Sequence, residues 1–181
     1  MRRPHLRGGR SARSAARGTL AALSAAALLF ASACGSGGED PSSPRPTPEL
    51  PPGAPEFGHG TVIIDKGEET VLVRVEVAQS AEQRRFGLMS RRALPEDAGM
   101  VFLYFSRHRG AFWMKDTLIP LSIAFFDQRG RIVRILDMRP CRRDPCKLYD
   151  PGVSYWGALE VNRGAFEDWG VEPGDEIRLS Q

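Results

Sequence analysis

From residue 60 onward the chain is a series of short apolar segments, several with alternating polarity, separated by glycine, proline and charged clusters. Val71, Val73, Val75 and Val77 alternate with Leu72, Arg74 and Glu76, which predicts a period-2 strand with a β-branched inner face. Ser80 with Gln83 three residues on is a capping box opening a short helix that Gly87 ends. Residues 99–105, Gly-Met-Val-Phe-Leu-Tyr-Phe, predict a second buried strand. Residues 121–126 and 131–138 predict a hairpin, with Gly130 taking the positive-φ position of the turn. A strand over 155–161, a helical turn over 165–169 stopped by Gly170, and a type II turn at Glu172-Pro173-Gly174-Asp175 lead into a last strand over 176–179. Many short strands with one or two short helices predict a mainly β (α+β) fold, a compact antiparallel β-sandwich or partly closed barrel.

Upstream the pattern changes twice. Residues 35–58 are Gly, Ser, Pro and Glu with almost no large apolar side chain, so residues 34–59 read as a disordered, solvated tether and residues 60–181 as one globular domain. The first 33 residues have the parts of an export signal: Arg2, Arg3, Arg7, Arg10, Arg13 and Arg17, an apolar run over 20–30, then Ala31-Ser32-Ala33 before Cys34. That run is too short for a membrane span. The expectation is a lipoprotein-type signal peptide over 1–33 with lipidation at Cys34; ordinary cleavage after the small-x-small triplet is the alternative, because Ala31 stands where such signals usually carry Leu. The expected location is the cell envelope, with the exported chain membrane-tethered through its N-terminal lipid anchor.

Export changes the charge balance. The chain has 25 basic and 22 acidic residues, but the first 33 contain six arginines and no acid, which leaves the mature protein at −3. Overall charge therefore argues against a nucleic-acid partner. With Cys34 acylated, Cys141 and Cys146 remain and form a disulfide in an oxidising compartment; a two-thiolate metal site is the weaker alternative, since no His lies nearby in sequence. Met89, Met100, Met114 and Met138 are too scattered for a soft-metal loop, so neither a metal nor a cofactor is expected.

Three blocks are richer in unusual residues than folding requires: residues 84–92 (Arg-Arg-Phe-Gly-Leu-Met-Ser-Arg-Arg), residues 112–121 (Phe-Trp-Met-Lys-Asp-Thr-Leu-Ile-Pro-Leu), and Met138-Arg139-Pro140-Cys141. With Leu94-Pro95, Gly99-Met100, Gly130, Leu159-Glu160 and Gly174-Asp175, their order resembles the DUF192 family over about residues 61–180. The resemblance implies a compact, mostly β fold and brings no established biochemical role. Two positions depart from the family pattern: Asp116 stands where Asn is common, and Ser122 where Asp is common. A carboxylate that acted at the second position is lost here.

Arg84 and Arg91 each carry five fixed donors and need carboxylate partners or an anionic ligand, with Asp116 and Glu160 as partner candidates. The plain reading is structural ion pairs tying helix to sheet; the sharper one is an anion pocket lined by Arg84, Arg91 and Lys115. Trp113, within Phe112-Trp113-Met114, is either core or a stacking shelf for an amphipathic ligand. Asp116-Thr117 is ordinary turn chemistry ahead of Pro120 unless Asp116 meets a cation in a concave site. The expectation is a binding or accessory module that holds a small anionic or amphipathic envelope ligand, or a segment of an envelope protein, among Arg84, Arg91, Trp113, Lys115, Asp116, Thr117 and Glu160. The alternatives are an envelope hydrolase or transferase using Asp116 with Arg/Lys support, and a purely structural component.

Overall fold

The alternating valines do what a half-buried strand requires: Val73, Val75 and Val77 are buried while Leu72 and Arg74 face outward. The computed structural model describes residues 50–181; the predicted signal peptide, Cys34 and the first part of the tether lie outside the described residues. The strands are β1 (Gly58–Asp65), β2 (Thr70–Ala78), β3 (Ala98–His108), β4 (Phe112–Trp113), β5 (Leu121–Phe126), β6 (Ile132–Met138), β7 (Leu148–Tyr149), β8 (Tyr155–Asn162) and β9 (Glu176–Ser180). Helix α1 spans Ala81–Phe86 and α2 spans Ala165–Asp168.

Seven strands form one sheet in the order β6-β5-β8-β3-β2-β1-β9, and β4 pairs with β7 as a separate ribbon. All neighbours in the large sheet are antiparallel except β2 and β3, which are parallel. That departure from an all-antiparallel sheet has a local cause: α1 and the segment after it carry the chain back over the sheet, so β3 starts from the same end as β2. The Ser80 capping box fixes the start of this crossover, with Gln83 N donating to Ser80 Oγ and Ser80 N donating to Gln83 Oε1. Gly87, at φ 51°, ends the helix.

The sheet curls into a half-barrel, so the partly closed barrel of the sequence reading is the form adopted. Its edges meet at one end, where Ile132 N donates to Asp175 O and Ile177 N to Gly130 O, both at 2.8 Å. Gly130 has φ 85°, and a Cβ there would lie 2.1 Å from Ile177 O, so both the hairpin turn and the closure require glycine. The turn over 172–175 forms as the Pro-Gly pattern predicts, with Asp175 N donating to Glu172 O and Gly174 at φ 114°.

Two apolar layers result. One lies inside the curl and gathers Val62, Val75, Val101, Phe126, Leu159 and Phe166. The other covers the opposite face, where Met100, Phe102, Leu121 and Phe125 of the sheet pack against Leu88 and Met114 of the overlying segments. Phe57 is buried in this second layer, so packing starts a few residues before Gly60; one aromatic at the end of a polar tract is enough to seat the chain.

Candidate functional site

The crossover segment after α1 turns sharply. Ser90 has φ 62°, a left-handed conformation uncommon outside glycine, and its N–H donates to the carbonyl of Asp116, itself at φ 56°. The two conspicuous blocks of the sequence thus meet backbone to backbone. The turn at Ser90 directs Arg91 inward over the covered face of the sheet, where its Nη2 lies 2.5 Å from Glu76 Oε2 of β2. Both side chains are withdrawn from water, at 4% and 14% exposed. Arg91 Nε is buried without an acceptor among the described residues.

This ion pair borders a groove of about 530 Å³. Its lining includes His59 and Thr61 of β1, Arg74 of β2, Gly99 of β3, and Leu94 and Pro95 of the segment before β3. Arg74 is held in place by two side-chain bonds to Asp97, at 2.6 and 3.0 Å. The groove therefore combines a deep guanidinium, a second guanidinium at the surface, an imidazole and a small apolar wall. That combination suits an anionic group attached to an apolar body.

The other residues singled out by sequence lie elsewhere. Arg84 donates to the carbonyls of Gln79 and Leu103, and its guanidinium stands 4.8 Å from the Tyr104 ring centroid. Neither arginine pairs with Asp116 or Glu160. Lys115 bonds Asp144 at 3.0 Å, which raises its pKa, and its ammonium is 6.0 Å from the half-exposed Trp113 ring. Thr117 is buried, its hydroxyl donating to Lys115 O at 3.4 Å. Asp116 is exposed; its backbone carbonyl accepts from Ser90 N, and its carboxylate adds only a minor charge effect on Lys115. Of the seven expected residues, only Arg91 lines the groove. Phe112 and Met114 pack with the second layer, so the aromatic run is split between core and surface.

Glu160 is buried, with only 5% of its surface exposed. It is in register with Met100 of β3, which is in register with Glu76 of β2, so two carboxyl groups share one transverse row with a methionine between them. Glu76 has its cation; Glu160 has none among the described residues, and burial pushes its pKa up to about 8. At Ser122 the hydroxyl donates to Asp137 Oδ1 of the adjacent strand at 2.5 Å and accepts from Gly164 N. A carboxylate is thus present beside the position where the family usually has Asp, supplied from β6.

A family model described as an uncharacterized ACR, DUF192, matches residues 62–179, nearly all of the folded part. The chain belongs to the DUF192 family. A search of curated proteins found no match. Among solved structures, this DUF192 chain is similar to a protein from Sinorhizobium meliloti 1021 provisionally described as a transcription regulator. The identity is 29%, the match covers 70% of this chain and 98% of that one, and the TM-score is 0.65. It is also similar to a protein of unknown function from Novosphingobium aromaticivorans DSM 12444, at 26% identity over 78% of this chain and 99% of that one, with a TM-score of 0.64. The DUF192 domain carries a disulfide between Cys141 and Cys146, with Cα atoms 5.5 Å apart. Among the described residues no helix is long and apolar enough to cross a membrane.

His59, Arg74 and Glu76 were not singled out in the sequence. On β2, Arg74 and Glu76 occupy the polar phase of an alternating strand, where they look like solvated positions.

Proposed function

We propose that the protein is a binding module of the cell envelope, lipid-anchored at Cys34, whose DUF192 domain holds a small anionic or amphipathic ligand, or an acidic segment of another envelope protein, in the groove beside Arg91. The observation that carries this reading is Arg91: an almost buried guanidinium on the lining of an open groove, paired on one nitrogen and unmatched at Nε. An incoming carboxylate or phosphate competes with Glu76 for the guanidinium and gains Arg74 at the surface. Leu94 and Pro95 give an apolar part of the ligand a wall to lie against.

The test is a thermal-shift and calorimetric screen of sugar phosphates, acidic peptides and cell-wall fragments against the protein and its Arg74→Ala variant. Arg74 and Asp97 are both about half exposed, so losing their bridge costs under about 1 kcal/mol and leaves the fold intact. Stabilisation by one class, weakened about tenfold or more in Arg74→Ala, is the expected result. No stabilisation by any class, or affinity indifferent to Arg74, overturns the reading.

A further inference from the structure

The ribbon of β4 and β7 and the disulfide-closed loop before it form a second surface, and none of its residues lines the groove. Trp113 pairs directly with Leu148, and the two are 45% and 64% exposed. A lone exposed apolar side chain is ordinary, but a tryptophan and a leucine placed side by side on a two-residue ribbon make a small apolar tip. One cation flanks it directly: Lys115 is 6.0 Å from the Trp113 ring. Lys147 lies on the other face of the ribbon, 4.8 Å from the Tyr149 ring. Arg142 and Arg143 project from the loop between the bonded cysteines and make no ion pair among the described residues.

The loop is fixed against the ribbon segment. Cys141 N donates to Met114 O at 3.2 Å, and the one acid of the loop, Asp144, is taken by Lys115. Charge is concentrated locally: residues 139–147 contain four bases and one acid, whereas residues 50–181 as a whole contain 18 bases and 19 acids. A slightly acidic domain with a basic edge beside an exposed tryptophan is favoured to turn that edge toward an anionic surface.

We propose that this surface docks the domain onto an anionic lipid membrane, with Trp113 and Leu148 entering the headgroup layer and Arg142 and Arg143 contacting lipid phosphates. Tryptophan is suited to that depth because its ring is apolar and its indole N–H stays hydrogen-bonded. Long cationic side chains lay their alkyl stems beside it and keep their charges at the phosphates. The inference is independent of the groove; it rests on the envelope reading only in that a lipid surface must be within reach.

The experiment uses the mature, lipid-anchored protein purified from its own envelope and added to vesicles of phosphatidylcholine, with or without phosphatidylglycerol, carrying brominated acyl chains that quench nearby tryptophan. Flotation with the neutral vesicles reads the anchor, and quenching reads the docking surface, so the two can fail separately. The expected result is quenching that appears only with phosphatidylglycerol, disappears in Trp113→Phe and falls with added salt. The double variant Arg142→Glu/Arg143→Glu weakens the association about tenfold or more at unchanged melting temperature. Absence of quenching in anionic vesicles, equal quenching in neutral ones, or quenching that persists in Trp113→Phe overturns the proposal; the first is also what a protein-docking face would give.

Discussion

Arg91 Nη2 and Glu76 Oε2, 2.5 Å apart and nearly shut off from water, tie the segment after α1 to the C-terminal part of β2. Removing one partner of such a pair leaves an uncompensated buried charge, which is more damaging than never having had the pair. Glu76→Ala is therefore expected to lower stability by about 3 kcal/mol, and Glu76→Ala/Arg91→Met to lower it by less than the single change. Urea denaturation of the variants checks this; a double variant as unstable as the summed singles would show that the two residues are not coupled.

Glu160 makes stability depend on pH in a direction opposite to most carboxylates. Its folded pKa of about 8 exceeds the ordinary value of 4.5, so the native state holds the proton over that interval and the unfolded chain does not. The contribution is complete below pH 4.5, declines as pH rises, and is lost above about 8. Denaturation at pH 5 and pH 9 is expected to show a loss of order 3–5 kcal/mol attributable to this group. Glu160→Gln should largely abolish that slope; an identical slope in both proteins would exclude Glu160 as its source.

The bond between Cys141 and Cys146 closes a loop only five residues apart in sequence. Chain-entropy reasoning for so short a loop gives about 2 kcal/mol. Reduction, or Cys141→Ser/Cys146→Ser, is expected to cost no more than this and to leave the large sheet intact, as read by circular dichroism and melting. Loss of the whole fold would mean that the loop supports the sheet rather than merely ordering its own residues.

Gly130→Ala combines two penalties, a left-handed backbone at φ 85° and a Cβ 2.1 Å from Ile177 O. The expected cost is about 3 kcal/mol or more, because relief requires parting the junction between the β5–β6 turn and β9. Gly152, also at positive φ but with nothing within 4 Å of its Cβ, is the control: Gly152→Ala should cost about 1 kcal/mol. Similar losses at the two sites would refute the steric argument.

Much of the fold was legible because its signals are local. The valine alternation of β2, the Ser80–Gln83 box, the Gly130 hairpin and the Pro-Gly turn before β9 each depend on residues a few positions apart. β1 was not singled out as a strand, and the two-residue ribbon strands are too short to leave a period. The parallel pairing of β2 with β3 follows from where the crossover lays the chain, which no local pattern states.

The site was less readable for the same reason. Arg91 was conspicuous, but its partner sits 15 residues earlier on a strand whose polar positions look solvated until the crossover segment covers them. Arg84, equally conspicuous, uses backbone carbonyls and an aromatic face, which a search for carboxylates does not find.

The junction between the hairpin turn and β9 has a further consequence. The outermost strands of the sheet, β6 and β9, are drawn together there, so part of each margin already has its main-chain groups engaged within the molecule. Less bare strand is left to recruit a neighbouring copy by edge pairing. Pairing between copies is thereby confined to the stretches of β6 and β9 beyond the junction, even though nearly every described element is a β-strand.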